Sequence, residues 1–521
     1  DKNYNLMMDN GKKWDCIHNN KFNIVKYCDK YCYYDCMVLK QGYDKFCEMI
    51  KEVCDMNADA YMTVAQLADD YLKKEGCYDG VYMVNGVVRE FIQLCMVGGR
   101  TMCANNEKQY QSGVKIDDYD ACSLYPSAME RLGGFLLGRP KVLKQLDYDF
   151  LKNQDGYFVE IKIKQIPKHY RFPLISYKNN EGVRVFSDNV EDYKHNSVYV
   201  DKNSLEDLIK FYEDNNSPRD FKFEIIKGYY YDEGRNMKLR PVIQHLYNTR
   251  LLMKKQKNPI QNIYKLLMNS SYGKSLLKPI DNEIHYIYSK KKADKFIMNN
   301  YTRHIETDEL TFNDMWRVKV SKTIDKHFNN ALCGVEVLSM SKRIMNEVMC
   351  LSEDIGIDIY YQDTDSIHLK TEDVPKLENK FKEMYNRDLN GKNMGQFHTD
   401  FDSKILKGDI YSKCFIALGK KCYLDVLTDD SGEEDYHIRM KGVSGDSVKY
   451  HAKGDIKNLY DRLYNNEALP FDLCCNNLKA CFEKNSDFTI KSKDSFWRVI
   501  CFDEDEKSKK EKIKNIQKRL K

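Results

Sequence analysis

The stretch Ile357-Asp-Ile-Tyr-Tyr-Gln-Asp-Thr-Asp-Ser-Ile-His-Leu369 carries the pattern that decides the fold. Apolar and polar residues alternate before Asp363-Thr364-Asp365 and alternate again after it. A period of two with a polar break predicts two antiparallel strands joined by a tight turn. We therefore expect a β-hairpin, rooted in a buried sheet, with two carboxylates at its tip. The alternative is an ordinary polar turn, because Asp and Thr are common in turns.

A second strand end lies in the run Asp120-Ala-Cys-Ser-Leu-Tyr-Pro-Ser127. Val114 and Ile116 alternate with polar residues toward Asp120, which predicts a strand, and the spacing Ser127-x-x-Glu130 predicts a helix start. A fold that joins this strand end to the hairpin tip concentrates negative charge. Such a cluster is unstable unless divalent cations bind it. Two Mg²⁺ ions, for which Mn²⁺ can substitute, suit in-line displacement at a nucleoside triphosphate.

The residues that follow Asp120 have the chemistry of a nucleotide site. Backbone amides at a helix N-terminus bind anions, so Ser123 and the amides of Leu124 and Tyr125 are candidates to hold a triphosphate. The Tyr125 ring could also pack against the sugar and leave no room for a 2′-hydroxyl. The alternative is a capped helix with a buried tyrosine. Two neighbouring carboxylates, Asp117 and Asp118, compete for the ligand role.

A third candidate cluster lies in the stretch 242–273, which the pattern predicts to be helical with an interruption near Pro259. Lys265, Asn269 and Tyr272 are spaced i, i+4 and i+7, so they share one narrow face. The opposite face carries the apolar residues Ile260, Ile263 and Leu267. A cation, an amide and an aromatic ring suit a nucleotide: Lys265 for phosphate, and Asn269 and Tyr272 beside the base. The alternative is a surface helix whose polar face arises by chance.

Length and composition limit the class of protein. A chain of 521 residues predicts about three to four packed units. Hydrophobic residues make up 42% and charged residues 31%, which is typical of globular proteins. No run of about 18 apolar residues occurs, so we expect no membrane span. We expect an intracellular protein, in the nucleus, the cytoplasm or an organelle.

Charge alone does not indicate a nucleic-acid partner, because the formal net charge is only +4. Local basic patches at 254–257, at 290–292 and in the last fifteen residues are candidates for phosphate contacts. Solvated surface faces are an equally good interpretation of each patch.

The chain has eighteen cysteines, and their spacing does not predict disulfide pairs. Cys28, Cys32 and Cys36 recur every four residues as a helical stripe. We expect this stripe to pack in a core rather than to bind metal, because no His or second Cys pair completes a metal site. A reducing compartment fits this cysteine usage better than a disulfide scaffold.

In this order, the three runs resemble motifs A, B and C of family B DNA polymerases, and the match is closest to the protein-primed branch. Motif A is the run 120–127, motif B is Lys265-x₃-Asn269-Ser-x-Tyr272-Gly273, and motif C is Tyr361-x-Asp363-Thr364-Asp365-Ser. The residues that the resemblance assigns to DNA contacts are Gly98 and Gly99 (a Tyr-x-Gly-Gly element with Met96 in place of the tyrosine), Tyr361, Thr364, Lys421 and Tyr423 (a Lys-x-Tyr motif), and Lys441 (an element before the thumb).

The resemblance implies an α+β, multidomain right-hand fold with palm, fingers and thumb. Tyr31-Cys-Tyr-Tyr-Asp35 resembles the third motif of the family's 3′–5′ exonuclease, and the first two motifs are not found. We therefore expect an N-terminally truncated chain that does not proofread. The implied ranges are 1–60, the C-terminal remnant of the exonuclease domain; 61–135, the first part of the palm; 136–238, a first insertion that contacts a priming protein; 239–276, the fingers; 277–325, a second insertion; 326–450, the second part of the palm; and 451–521, the thumb and a basic tail.

The implied function is DNA-directed DNA polymerase: addition of dNTPs to a primer 3′-hydroxyl by a two-metal mechanism, in the protein-primed replication of a viral or mobile-element genome. Asp120 and Asp365 are the implied metal ligands, and Asp363 is a secondary one. The implied partners are template-primer DNA, dNTPs and a terminal priming protein, with no membrane and a monomeric chain. The alternatives are an RNA-making polymerase, a catalytically silent DNA-binding paralogue or replisome structural subunit, and a nuclease.

Overall fold

The computed structural model describes residues 2–19, 21–213, 220–277, 282–310, 314–322, 329–475, 478–482 and 488–520. Parts of both predicted insertions lie outside the described residues, at 214–219, 278–281, 311–313 and 323–325. The described residues form two compact units, one made of Asp1–Cys77 and Pro241–Lys274, the other of Tyr78–Arg240 and Ser275–Lys521. Within the described ranges, none of the helices combines the length and apolarity that crossing a bilayer requires.

Side-chain caps account for several helix starts. Asn23, Thr63, Asp201 and Ser444 each accept a hydrogen bond from the backbone N–H three residues further on. The helices of the described residues are α1 (Lys2–Lys13), α2 (Ile24–Cys54), α3 (Val64–Lys74), α4 (Gly86–Leu94), α5 (Leu124–Leu132), α6 (Tyr148–Leu151), α7 (Lys202–Tyr212), α8 (Leu239–Lys255), α9 (Gln261–Ser270), α10 (Gly273–Leu276), α11 (Lys290–Asn299), α12 (Ala331–Asp354), α13 (Val374–Tyr385), α14 (Gly445–Ala452), α15 (Ile456–Tyr464) and α16 (Glu506–Leu520).

The strands of the described residues pair in the antiparallel direction. They are β1 (Ile17–His18), β2 (Lys21–Phe22), β3 (Thr101–Cys103), β4 (Gln109–Ala121), β5 (Phe135–Leu136), β6 (Lys141–Val142), β7 (Gly156–Gln165), β8 (Ser176–Lys178), β9 (Arg184–Phe186), β10 (Val198–Asp201), β11 (Lys222–Tyr231), β12 (Arg235–Asn236), β13 (Asn282–Tyr288), β14 (His304–Leu310), β15 (Met315–Ser321), β16 (Ile359–Asp363), β17 (Ser366–Lys370), β18 (Phe397–Thr399), β19 (Tyr411–Gly419), β20 (Cys422–Thr428), β21 (Glu434–Met440), β22 (Leu469–Asp472), β23 (Leu478–Phe482), β24 (Phe488–Ser492) and β25 (Trp497–Ile500).

The largest sheet has the strand order β21-β20-β19-β4-β17-β16-β3, and β18 also pairs with β4. Strands β16 and β17 form the predicted β-hairpin, named here the carboxylate hairpin (359–370). Asp363 pairs with Ser366, so Thr364 and Asp365 make a two-residue turn. Thr364 has a φ of 61°, the left-handed conformation that such turns require. The hairpin prediction is confirmed, with the two carboxylates at the positions expected.

Helix α12 is buried along most of its length and packs against α4, α5 and α7. The sequence pattern predicts a helix only near 339–350, whereas α12 runs from Ala331 to Asp354. A helix that is enclosed on all sides is apolar on all sides, so its ends carry no clear 3.6-residue period. The position of α12 between helices of one unit explains why the prediction was too short.

The range predicted as the first insertion contains a four-stranded sheet of order β10-β7-β11-β6. Strand β7 lies inside this sheet, where Phe158, Val159 and Ile161 are fully buried and Lys162 is exposed. Helix α7 packs its apolar side into the same core. Alternating residues over 158–164 predict this strand, and the strand is confirmed. Buried and exposed side chains alternate only from Ile161 to Lys164, and the side chains before Ile161 are all buried.

Two local predictions are wrong. Helix α5 begins at Leu124 rather than near Ser127, and the Ser127 hydroxyl instead donates to Ser123 O. The pattern predicts a mostly helical region after Gly442, but β22 to β25 lie between α15 and α16. The pattern also predicts a strand-rich stretch at 277–325, and this prediction is confirmed by a three-stranded sheet, which helix α11 accompanies.

The first unit holds the long helix α2 and the pair α3 and α9, which pack together. The predicted helix from about 22 to 53 is confirmed by α2. The expected packing of its cysteine stripe is wrong, because Cys28, Cys32 and Cys36 are exposed on α2. Helix α3 lies in this unit, although the implied domain range placed it with the palm.

We predict that Ile161→Ala lowers the midpoint of thermal unfolding, because truncating a fully buried side chain in the middle of β7 costs about 2–5 kcal/mol. Differential scanning fluorimetry measures the shift. The matched control is Lys162→Ala, the exposed neighbour on the same strand, which should leave the midpoint almost unchanged. Equal shifts for the two variants would contradict the burial of this sheet.

Candidate active site

One strand register brings the predicted carboxylates together. Strand β17 lies beside β4 with Ser366 opposite Asp120, and the Ala121 N–H donates to Asp365 O at 2.9 Å. Asp365 is therefore one residue along the chain from the partner of Asp120, which puts their Cα atoms roughly 6–7 Å apart. The two strand ends thus meet in space, as the sequence predicts.

The electrostatics of this pair are unfavourable in the free protein. Burial, together with the nearby Asp365, Asp400 and Asp118, raises the pKa of Asp120 to about 8. Burial, together with Asp363 and Asp118, also raises the pKa of Asp365. Ionisation of either carboxyl group therefore destabilises the folded protein, and a bound cation would remove this electrostatic penalty.

Asp363 has a different environment from its two partners. Its Oδ1 accepts a hydrogen bond from Lys421 Nζ at 2.7 Å and another from the Thr101 hydroxyl at 3.2 Å. The Lys421 N–H donates to the Tyr361 hydroxyl at 2.8 Å. The turn that carries Lys421 is therefore tied to the carboxylate hairpin at two points.

Sequence reasoning missed a fourth carboxylate beside the pair. Strand β18 puts His398 opposite Asp120. Two residues further on is Asp400, whose backbone N–H donates to Asp118 O at 3.0 Å. Asp400 raises the pKa of Asp120, so the two carboxylates lie close enough to interact. Strand β18 has only three residues, too few for a period of two to predict it.

A buried charge network lies beneath the site and was also missed. His368 is fully buried, with Nδ1 3.5 Å from Asp118 Oδ1 and Nε2 3.3 Å from Asp425 Oδ2. Burial lowers the pKa of His368, but Asp118 and Asp425 raise it, and the net shift is upward. Burial raises the pKa of Asp118 and the contact with His368 lowers it. This contact favours Asp118 as a structural residue rather than a ligand.

Gly99 and Arg100 support the hairpin from its other side. A methyl group at Gly99 would lie 2.6 Å from Thr364 Cγ2, so any side chain there would require Thr364 to move. The Arg100 carbonyl accepts from the Thr364 N–H at 2.9 Å, and its buried guanidinium donates to Gln362 Oε1 at 2.6 Å and to Phe172 O at 3.0 Å. Gly99 thus contacts the hairpin, and Gly98 lies in open space.

Two of the residues predicted to contact DNA are buried. The side chains of Tyr361 and Tyr423 are 0% and 4% exposed, and their rings pack against each other with centroids 4.8 Å apart. Both rings therefore support the sheet, and their contact with DNA stays a prediction. Lys421 and Lys441 are exposed, and the Lys441 N–H donates to Lys421 O at 3.0 Å. The two lysines form the accessible basic pair of this edge.

The segment predicted to hold a triphosphate, Ser123 to Tyr125, lies at a helix start, as expected. Ser123 has a φ of 51° and precedes helix α5, whose first residue is Leu124. The side chain of Leu124 is buried, so only its backbone could contact a nucleotide, and Tyr125 is half-buried. The amides at this helix start remain the candidate for a phosphate contact.

The predicted motif B residues lie in the first unit, on and after α9. Lys265 and Asn269 are exposed, while Ile263 and Leu267 on the opposite face are buried, as the helical spacing predicts. Tyr272 follows the end of α9 and is half-buried.

The donor set fits Mg²⁺ without forming a closed cage. In the part of the chain that the structure describes, no group of three or more His, Cys, Asp or Glu side chains is arranged to hold a metal ion. Mg²⁺ is usually bound through one or two carboxylates together with substrate phosphates rather than by an all-protein cage. Asp120 and Asp365, with their raised pKa values, suit that kind of open site.

Comparison with known proteins identifies the family. Residues 1–384 match the model of the family DNA polymerase type B, organellar and viral. This match covers well over half of the chain, and the protein belongs to that family.

Individual relatives agree with the family. A probable DNA polymerase of Neurospora intermedia is 26% identical over 447 residues, which cover 82% of this chain and 40% of the relative. A DNA polymerase of Kluyveromyces lactis is 23% identical over 417 residues, covering 78% of this chain and 38% of the relative. The chain therefore spans about 40% of the length of these relatives.

Solved structures support the fold. Phi29 DNA polymerase in complex with primer-template DNA and incoming nucleotide substrates is 14% identical, with a TM-score of 0.52, over 85% of this chain and 68% of that one. An orthorhombic form of the same polymerase gives a TM-score of 0.51 at 15% identity, over 75% and 62%. The α+β right-hand polymerase class that the motifs implied is confirmed.

The raised pKa of Asp120 predicts how stability depends on pH in the metal-free protein. An unfolded Asp has a pKa of roughly 3.9, so the folded chain retains a proton that the unfolded chain loses. This contribution is full below about pH 4 and is lost as the pH rises toward the folded value of about 8. Asp120→Asn, which cannot ionise, should therefore raise the unfolding midpoint in EDTA more at pH 8 than at pH 5.

Differential scanning fluorimetry at the two pH values checks this expectation. Asp220→Asn, at an exposed position, is the control and should show no such difference. A gain for Asp120→Asn that is the same at both pH values would contradict the buried, like-charged environment.

Proposed function

We propose that the protein is a DNA-directed DNA polymerase that adds deoxynucleotides to the 3′-hydroxyl of a primer under the direction of a template. The observation that carries the proposal is the pairing of β4 with β17, which brings Asp120 close to Asp365. The chain also belongs to the type B family. Two carboxylates that favour a bound cation suit phosphoryl transfer, where catalysis depends on positioning and on charge stabilisation.

Each group of the chain has a specific role in this proposal. Asp120 and Asp365 would hold the divalent cations, which when bound lower the pKa of the primer hydroxyl and neutralise the leaving pyrophosphate. Lys421 holds Asp363 and fixes the hairpin tip. The amides that follow Ser123 would orient the triphosphate. The phosphate role of Lys265 is proposed from the motif resemblance alone.

Partners follow from the same sites. Template-primer DNA would contact the exposed Lys421 and Lys441 and the backbone at Gly98, since these groups are accessible beside the carboxylate hairpin. Priming by a terminal protein and a monomeric state are proposed from the motif resemblance to the protein-primed branch. A catalytically silent DNA-binding relative is the second candidate, and the retained carboxylates argue against it.

Asp365→Asn should abolish primer extension. Loss of one ligand carboxylate removes several kcal/mol of charge stabilisation, which corresponds to about a thousandfold or more in rate. The measurement is single-turnover extension of a labelled primer on a DNA template with Mg²⁺, with Asp220→Asn as control. Extension by Asp365→Asn at the rate of the unmodified chain would rule out this active site.

Tyr125→Val should raise the use of ribonucleotides relative to deoxynucleotides, because the smaller side chain leaves room for a 2′-hydroxyl. The ratio of kcat/KM for rCTP and dCTP measures the change, and we expect at least about a tenfold rise, a transition-state difference of about 1.4 kcal/mol. Tyr125→Phe is the matched control, since it keeps the ring. An unchanged ratio for Tyr125→Val would contradict the role of Tyr125 but would leave the carboxylate site intact.

A further inference from the structure

A cavity of about 270 Å³ lies beside the carboxylate hairpin. Residues 93–97, Gly99, Arg100, helix α12 and the hairpin residues Gln362 and Thr364 line it, together with parts of β8 to β10 and α7. The cavity meets the hairpin on the side of Gly99, which precedes β3, whereas Asp120 lies on β4, next to β17. It is therefore a separate space on the far side of the hairpin from the carboxylate pair.

Two cationic side chains in the cavity wall have N–H groups that make no hydrogen bond within the described ranges. Lys342 donates to Val97 O at 3.0 Å, its one hydrogen bond within the described ranges, and an ammonium has three N–H donors. Arg184 donates to the Ser176 hydroxyl at 2.9 Å, and a guanidinium has five N–H donors. Both side chains line the same cavity.

The nearby carboxylates already accept hydrogen bonds from other groups of the protein. Asp207 Oδ1 accepts from Arg343 at 2.6 Å, and Asp201 accepts from the Ser339 hydroxyl and from the Ser204 N–H. Burial, with Arg184 and Arg100 and against the opposing effect of Asp201 and Asp207, lowers the pKa of Lys342 to about 8. The wall therefore carries positive charge that its own acids do not balance.

The size and walls of the cavity limit what it can hold. Its volume lies just below the roughly 300–1,000 Å³ of pockets for drug-sized ligands. Tyr177, Phe186 and Tyr199 contribute aromatic surface to the lining. Cations beside aromatic rings are the groups that recognise the phosphate and the base of a nucleotide.

We propose that this cavity is a phosphate site, in which Lys342 and Arg184 bind a phosphate group carried by a nucleotide. The site is separate from the proposed triphosphate contact at Ser123 and does not require polymerase activity. The phosphate has two possible sources, a free nucleoside monophosphate or a phosphodiester of a single strand that passes the hairpin. Gly98, which has open space around it, gives such a strand room to approach.

Isothermal titration calorimetry on the full chain, in EDTA to suppress cation-dependent binding elsewhere, tests the proposal. The probes are inorganic phosphate, dAMP and a six-residue thymidine oligonucleotide. We expect dAMP and phosphate to bind the unmodified chain, with affinity falling at least tenfold in Lys342→Met and in Arg184→Met. Lys342→Arg should restore binding, because it returns a cation to the same wall. Lys162→Met, an exposed lysine outside the cavity, is the control and should bind normally.

The two sources give different results in competition. If saturating dAMP weakens oligonucleotide binding, the strand backbone uses the cavity; if oligonucleotide binding is unchanged, a free nucleotide is the ligand. Circular dichroism confirms that each variant folds, and Arg184→Met stands in should Lys342→Met fail to do so. The proposal is overturned if the unmodified chain binds neither phosphate nor dAMP, or if the two cavity variants bind both with unmodified affinity.

Discussion

The closeness of two carboxyl groups, those of Asp120 and Asp365, sets the requirements that the surrounding structure meets. It depends on one antiparallel register, with Ser366 opposite Asp120. A slip of one residue would turn the side chain of Asp120 to the other face of the sheet. The long strand β4, paired on both sides near this point by β17 and β18, fixes that register. The buried sheet is therefore the means by which the chain holds together two acids that repel each other.

The cost of this repulsion explains the residues around it. Lys421 neutralises Asp363, and His368 lies between Asp118 and Asp425 beneath the sheet. These pairs balance the acids that are not available to a cation. Asp120 and Asp365 have no such basic partner among the described residues of the sheet. Their pKa values are raised, so ionising them destabilises the fold. Binding a divalent cation then relieves a strain that folding has already imposed.

The sequence predicted the parts of the site that depend on local pattern. Alternation around 357–369 identified the hairpin, and helical spacing separated the exposed Lys265 from the buried Leu267. It did not predict the parts that depend on pairing between distant segments. Asp400 reaches the site through a three-residue strand, and His368 gave no signal because it occupies a core position in an apolar strand. The buried Tyr361 shows the same limit, since motif position does not reveal which face of a sheet a ring occupies.

The central claim is that Asp120 and Asp365 together bind divalent cations, and locating the cation tests it most directly. Crystals of the full chain with primer-template DNA, a nonhydrolysable dNTP analogue and Mn²⁺ would give the metal positions by anomalous scattering. We expect two Mn²⁺ peaks within coordination distance, roughly 2.0–2.3 Å, of carboxylate oxygens of Asp120 and Asp365. Mn²⁺ bound elsewhere, with both of these carboxylates uncoordinated, would contradict it.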